Sequence, residues 1–185
     1  DRGVAQYADS ATRRFALRRE GAMWRVVTFC ITVLCMWANP THPSSANEPI
    51  AFNKGDFATI REWHKGDMLV VAFWSLTCAP CLAEMSIWHE ILETHPDLTV
   101  VLVSTDKLED SERIENLLER HQLTGVESWV FADPFVERLR YDVDPKWRGE
   151  LPRTYFIDVS GKLHAHSGMV DPATLKSWLT ASGVP

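Results

Sequence analysis

From about residue 48 onward, short unbroken apolar runs alternate with stretches in which apolar residues recur every three or four positions. Met68–Trp74 and Leu98–Ser104 are almost continuously apolar, the pattern of strands buried on both faces. Between them, residues 78 to about 95 place Leu82, Met85, Trp88, Ile91 and Leu92 at helical spacing, with Pro96 just beyond the end. Residues 111–123 repeat the helical pattern with Ile114, Leu117, Leu118 and Leu123 on one side, and Gly125 is the expected stop. Residues 56–64 predict a short helix with Asp56 as N-cap, ended by Lys65-Gly66. Residues 48–53 predict a short edge strand and residues 127–132 a further one. Residues 134–141 predict a helix with proline in its first turn. Residues 154–158 and 162–166 read as two strands joined by the turn Val159-Ser160-Gly161. Residues 171–181 read as a closing helix capped by Asp171 and begun by Pro172. From Met68 the order is β, α, β, α, β, α, β, β, α. Helix-linked strands followed by a hairpin imply an α/β domain, a mixed sheet with helices on both faces.

Charge and hydropathy divide the 185 residues in two. Residues 1–46 carry six arginines and three acids, net +3; the other 13 basic and 22 acidic residues leave −9 on residues 47–185. A body of that sign excludes nucleic acid as the expected partner. The first segment reads as a targeting sequence. Arg25 precedes a 13-residue run, residues 26–38, that is apolar apart from two threonines. Ser44 and Ala46 suit cleavage after Ala46. The run is shorter than the ~20 residues of a comfortable membrane span, so a cleaved signal is favoured over an uncleaved tether through residues 26–38. Met23-Trp24-Arg25 followed by that run would form a compact signal by itself, with residues 1–22 as an upstream extension. The expected organisation is a signal or anchor over residues 1–46 and one domain over residues 47–185, exported to the periplasm.

Cysteine usage follows from this division. Cys30 and Cys35 lie in the signal, and the body keeps Cys78 and Cys81. An apolar strand ending at Trp74, a short turn and a helical pattern place Cys78 near a helix N-terminus. Free backbone N–H groups and the helix dipole there favour a thiolate. Cys81, three residues on, lies on the same face and can close a small disulfide ring. A disulfide across so short a loop staples little. A close pair in an oxidising compartment therefore points to redox chemistry ahead of metal binding or an incidental pair.

Two motifs carry a resemblance. Phe73-Trp74-x-x-x-Cys78-x-Pro80-Cys81-x-x-Glu84-Met85 is followed some seventy residues later by Gly149-Glu150-Leu151-Pro152-Arg153-Thr154-Tyr155-Phe156-Ile157-Asp158-x-x-Gly161. Over about residues 48–182 the chain resembles the thioredoxin superfamily, and within it the exported TlpA-like, cytochrome-c-maturation type of thiol–disulfide oxidoreductase. The resemblance implies a thioredoxin-like three-layer α/β/α fold with a mixed central sheet and a C-terminal β-hairpin plus helix. It implies Cys78 as attacking thiol, Cys81 as resolving thiol and a Cys78–Cys81 disulfide. It makes Pro152 a cis-proline facing the pair, and Leu151 the residue whose backbone is offered to substrate. Glu84 matches an acid that moves protons. Trp74 is expected to cover the pair, and Trp147, in Lys146-Trp147-Arg148, to touch a partner. The implied partners are protein disulfides, apocytochrome c among them, and a membrane thiol reductase as electron donor. No cofactor and no metal are implied.

The chain departs from its relatives in three places. Thr77 stands where many have tryptophan before the first cysteine. Ala72 stands where thioredoxin has a buried aspartate, which puts more weight on Glu84. Ser86 stands where a proline often follows the glutamate. Other constellations are weaker. His164 and His166 share one strand face but have no third ligand nearby, so an exposed strand face is favoured over a metal site. A copper-carrying protein would use Cys78, Cys81 and a distant histidine, although copper-chaperone relatives space their cysteines by three rather than two. A thiol peroxidase wants a threonine three residues before its cysteine, where Ser75 stands, with Thr77 adjacent.

Overall fold

The structure, a computed structural model, describes residues 48–182, which fall within one unit spanning Ser45–Pro185. The signal or anchor expected over residues 1–46, with Cys30 and Cys35, lies outside the described residues. In chain order the elements are β1 (Ile50–Phe52), α1 (Asp56–Trp63), β2 (Met68–Trp74), α2 (Ala79–Thr94), β3 (Leu98–Ser104), α3 (Ser111–Arg120), β4 (Glu127–Phe131), α4 (Val136–Val143), β5 (Arg153–Ile157), β6 (Leu163–Ser167) and α5 (Pro172–Ala181). None of the described helices is long and apolar enough to cross a membrane.

The six strands form one sheet in the order β1-β4-β3-β2-β5-β6. The first four are mutually parallel, and β5 and β6 are antiparallel additions beyond β2. β2 and β3, the most continuously apolar strands, lie in the middle. Strand alternation sorts their side chains onto two faces. Val70, Ala72, Trp74, Val100, Leu102 and Phe156 pack on one face with Met85, Trp88 and Ile91 of α2, Ile114 and Leu118 of α3, and Leu175 of α5. Leu69, Val71, Phe73, Val101, Val103 and Tyr155 pack on the other with Phe57 and Ile60 of α1 and Leu139 of α4. That second face is aromatic: Phe73 lies 4.9 Å from Trp147 and 5.8 Å from Tyr155 between ring centroids. The mixed sheet with helices on both faces agrees with the sequence-based class.

Three helix ends differ from expectation, each for a local reason. α1 is capped by Gly55 at φ 94°, not by Asp56. The Asp56 carboxylate instead accepts the N–H of Asn53 at 2.7 Å. α3 stops at Arg120 because Gln122 turns left-handed at φ 58°, and Leu123 N–H bonds back to the carbonyl of Leu118. Leu123 still reaches the core from this turn, and Gly125 comes too late to be the stop. α4 begins at Val136 because Asp133 accepts the N–H of Phe135 at 2.8 Å and holds Pro134 in the turn before it.

Candidate active site

β2 ends at Trp74, and four residues later Cys78 takes an extended conformation (φ −93°, ψ 97°) as the N-cap of α2. Its carbonyl accepts the N–H of Leu82 at 3.0 Å, and its sulfur accepts the N–H of Cys81 at 3.3 Å. Pro80 occupies the first turn, where its missing N–H costs nothing. Cys78 and Cys81 are joined by a disulfide. Cys78 is half-buried and Cys81 has no exposed surface. Of the two, only Cys78 reaches the surface.

The turn before Cys78 is held by a residue that sequence reasoning missed. Asp106, just past β3, accepts from the Ser75 hydroxyl at 2.9 Å, the Leu76 N–H at 2.7 Å and the Ser104 hydroxyl at 2.7 Å. Ser75 Oγ also lies 3.0 Å from the Thr77 hydroxyl and accepts the Thr77 N–H at 3.2 Å. The polar trio Ser104-Thr105-Asp106 at the end of an apolar strand was the available signal, but nothing in it names Ser75, 31 residues before Asp106, as its partner.

The facing segment leaves the sheet at the same end. Phe73 pairs with Arg153 in the β2–β5 register, so the residues just before Arg153 lie beside the end of β2. The Leu151–Pro152 peptide is cis, and the Pro152 carbonyl accepts the N–H of Gly168 at 2.9 Å. Leu151 is half-buried and packs against both core clusters. A polar network fixes the approach to it. Arg153 donates to Asp144 Oδ2 at 2.7 Å, to Ser167 Oγ at 2.6 Å and to Tyr155 Oη at 3.1 Å. Burial opposes the ionisation of Asp144, but the Lys146 N–H and the Arg153 guanidinium outweigh it and hold the carboxyl below its usual range. Gly149 stands at φ 99°, a left-handed conformation that favours glycine, and a Cβ there would press on the movable end of the Arg140 side chain.

Trp147 belongs to this network and not to an exposed contact surface. It is 5% exposed, donates its indole N–H to the Glu150 carbonyl at 2.9 Å and packs on Phe73. Trp74 is corrected in the same way. At 1% exposure it lies in the core cluster with Cys81 and offers no surface to a substrate.

Glu84, one turn beyond Cys81 on α2, is not a solvated helix residue. It is 1% exposed and accepts the N–H of Val170 through Oε1 at 2.5 Å. Its Oε2 and the indole nitrogen of Trp88 have no well-formed hydrogen bond. Burial raises its pKa to about 7, opposed more weakly by the Val170 N–H and the Trp88 indole. Ala72 leaves no acid on the neighbouring strand, where it pairs with Thr154. His164 and His166 are half-buried rather than exposed, and His166 packs edge-on to Trp178 at 5.6 Å. Among the described residues no three or more His, Cys, Asp or Glu side chains cluster as a metal site.

Neither a family model nor a curated protein matches the chain. Solved structures do. A secreted Mycobacterium tuberculosis disulfide oxidoreductase, described as homologous to E. coli DsbE, is similar at 18% identity and TM-score 0.53, over 65% of this chain and 85% of that one. A DsbF homologue from Corynebacterium diphtheriae is similar at 19% identity and TM-score 0.52, over 65% and 75%. A thiol:disulfide interchange protein of the thioredoxin family from Chlorobium tepidum is similar at 19% identity and TM-score 0.51, over 66% and 83%. The chain has the thioredoxin fold.

Proposed function

We propose that this thioredoxin-fold chain is a thiol–disulfide oxidoreductase that reduces protein disulfides outside the cytosol. One observation carries the reading: a half-buried Cys78 bonded to a fully buried Cys81 at the start of α2, at the sheet end where cis-Pro152 also lies. The structural neighbours, described as disulfide oxidoreductase and thiol:disulfide interchange protein, support the same chemistry.

In the reduced protein the Cys78 thiolate, stabilised at the N-cap of α2, attacks one sulfur of a substrate disulfide. A Cys78–substrate bond forms, and the other substrate sulfur leaves as a thiolate and takes up a proton. Cys81, deprotonated toward Glu84, then attacks Cys78 Sγ. The second substrate thiol departs, and the Cys78–Cys81 disulfide holds the two electrons' worth of oxidation. An acid poised near pH 7 takes a proton from a thiol and returns it without a large barrier. Pro152 has no N–H, so the backbone of Leu151 is left to pair with an extended substrate segment. A membrane thiol reductase would restore the dithiol. Apocytochrome c is the substrate the family resemblance suggests, and the segment at residues 26–38 supplies export or a tether.

Equilibrium titration of the Cys78–Cys81 couple against dithiothreitol tests the direction. A potential toward thioredoxin's ~−270 mV is expected; one near ~−120 mV makes the protein an oxidant. In the same preparation Cys81→Ser should trap mixed disulfides and Cys78→Ser should trap none. Equal trapping by both overturns the order of attack.

A further inference from the structure

We propose that Asp106 is a positioning residue for the Cys78 nucleophile, acting through the Ser75–Thr77 turn. The inference rests on the thiol–disulfide reading above. Cys78 can serve as N-cap only if the three residues before it reverse the chain at the end of β2. The Ser75 carbonyl accepts the Cys78 N–H at 3.1 Å, so the position of Ser75 sets that of Cys78. Ser75 in turn is fixed by Asp106. Its hydroxyl donates to Asp106 Oδ1 at 2.9 Å and accepts from the Thr77 N–H and hydroxyl, which uses its whole hydrogen-bonding capacity. Asp106 Oδ2 takes the Leu76 N–H and the Ser104 hydroxyl, both at 2.7 Å, and its own N–H bonds Ser104 Oγ at 3.1 Å. Ser75 and Ser104 are both buried, and a second tie, Thr105 N–H to the Trp74 carbonyl at 2.9 Å, joins the same two strand ends. Thr77, through its N–H and hydroxyl, is part of this bracket.

Two effects of Asp106 on Cys78 have opposite signs. Its negative charge would raise the thiol pKa. Its hold on the turn keeps the sulfur at the helix terminus, which lowers that pKa. Three donors already satisfy the carboxylate, and none comes from Cys78, so the positional effect dominates.

The test reads Cys78 directly. Iodoacetamide alkylation of the reduced protein, read by mass spectrometry at the Cys78 peptide, follows that thiol apart from Cys30, Cys35 and the buried Cys81, and its pH profile gives the thiol pKa. Asp106→Ala should slow alkylation at pH 7 roughly tenfold, its pKa moving up toward the ~8.5 of a free cysteine. Asp106→Asn can still accept the Leu76 N–H and, by donating to a hydroxyl, keep the bracket closed; it should recover most of the wild-type rate. A lower pKa in both variants, or an unmoved profile in Asp106→Ala, overturns the proposal. If Asp106→Ala does not fold, Ser75→Ala carries the test: a slowing of about threefold supports the bracket and no change refutes it. Glutathione disulfide exchange by the wild type is measured in parallel. Failure there removes the oxidoreductase reading, while the alkylation profiles still decide the role of Asp106.

Discussion

Two acids stand behind the reactive turn, one on each face of the sheet, and they are treated in opposite ways. Asp144, on the aromatic face, meets Arg153, the Lys146 N–H and the Tyr155 hydroxyl, and its pKa is held low. Glu84, on the face that carries the cysteines, has one backbone partner and a second oxygen with none, and burial lifts its pKa to about 7. A fully paired carboxylate is a fixed charge that locks a loop. A buried carboxylate left half-paired changes protonation near neutral pH and is suited to moving protons. The contrast separates an acid whose charge is fixed from one that titrates near neutral pH, without reference to where either lies in the sequence.

The largest consequence is a stability that falls as pH rises. Glu84 has an ordinary pKa of 4.5 when unfolded and about 7 when folded. Its protonated form is therefore favoured by the folded state: the full contribution is present below pH 4.5 and is lost as pH rises to about 7. The loss is of order 3 kcal/mol for a shift of this size. Urea unfolding of the oxidised protein should show wild type losing this stability between pH 4.5 and about 7 while Glu84→Gln, which cannot ionise, does not, so that the two curves separate as pH rises. Parallel curves for the two proteins would remove Glu84 as a titrating group.

Asp144 should behave differently. Arg153→Ala leaves a partly buried carboxylate without its guanidinium and should cost about 2 kcal/mol, with little pH dependence between pH 6 and 9. The same unfolding curves measure it. A pH-dependent loss there would erase the distinction between the two acids. The smallest effect is expected at the exposed end of the same network. Ser167 Oγ bridges Arg153 and Glu150 at 2.6 and 2.9 Å, and Ser167→Ala should cost less than about 1 kcal/mol because solvent replaces the lost bonds. A cost as large as that of Arg153→Ala would mean that the whole network acts as one unit.

Much of this site was legible in the residue order. The apolar runs at Met68–Trp74 and Leu98–Ser104 coincide with the observed strands, and the capping of α5 by Asp171 is seen in its 2.8 Å bond from Thr174 N–H. The place of Cys78 at a helix start followed from local pattern alone. Trp74 and Trp147 are buried, which their sequence does not reveal, because a tryptophan beside a functional motif looks the same in sequence whether it faces solvent or core. Their burial is decided by strand register and by the packing of Phe73.

What the sequence determined by itself is therefore whatever depends on neighbours a few residues apart: strand and helix periods, N-caps and the spacing of the two cysteines. Only the tertiary structure decided which distant groups meet. Asp106 reaches Ser75, Val170 reaches Glu84, and Arg153 bridges Asp144 and Ser167 across folded distances of a few ångströms. Hydrogen bonding and desolvation act over those distances and not along the chain. The protonation of Glu84 and the fixing of the Cys78 turn thus belong to the fold, even though every residue involved stands in plain view in the sequence.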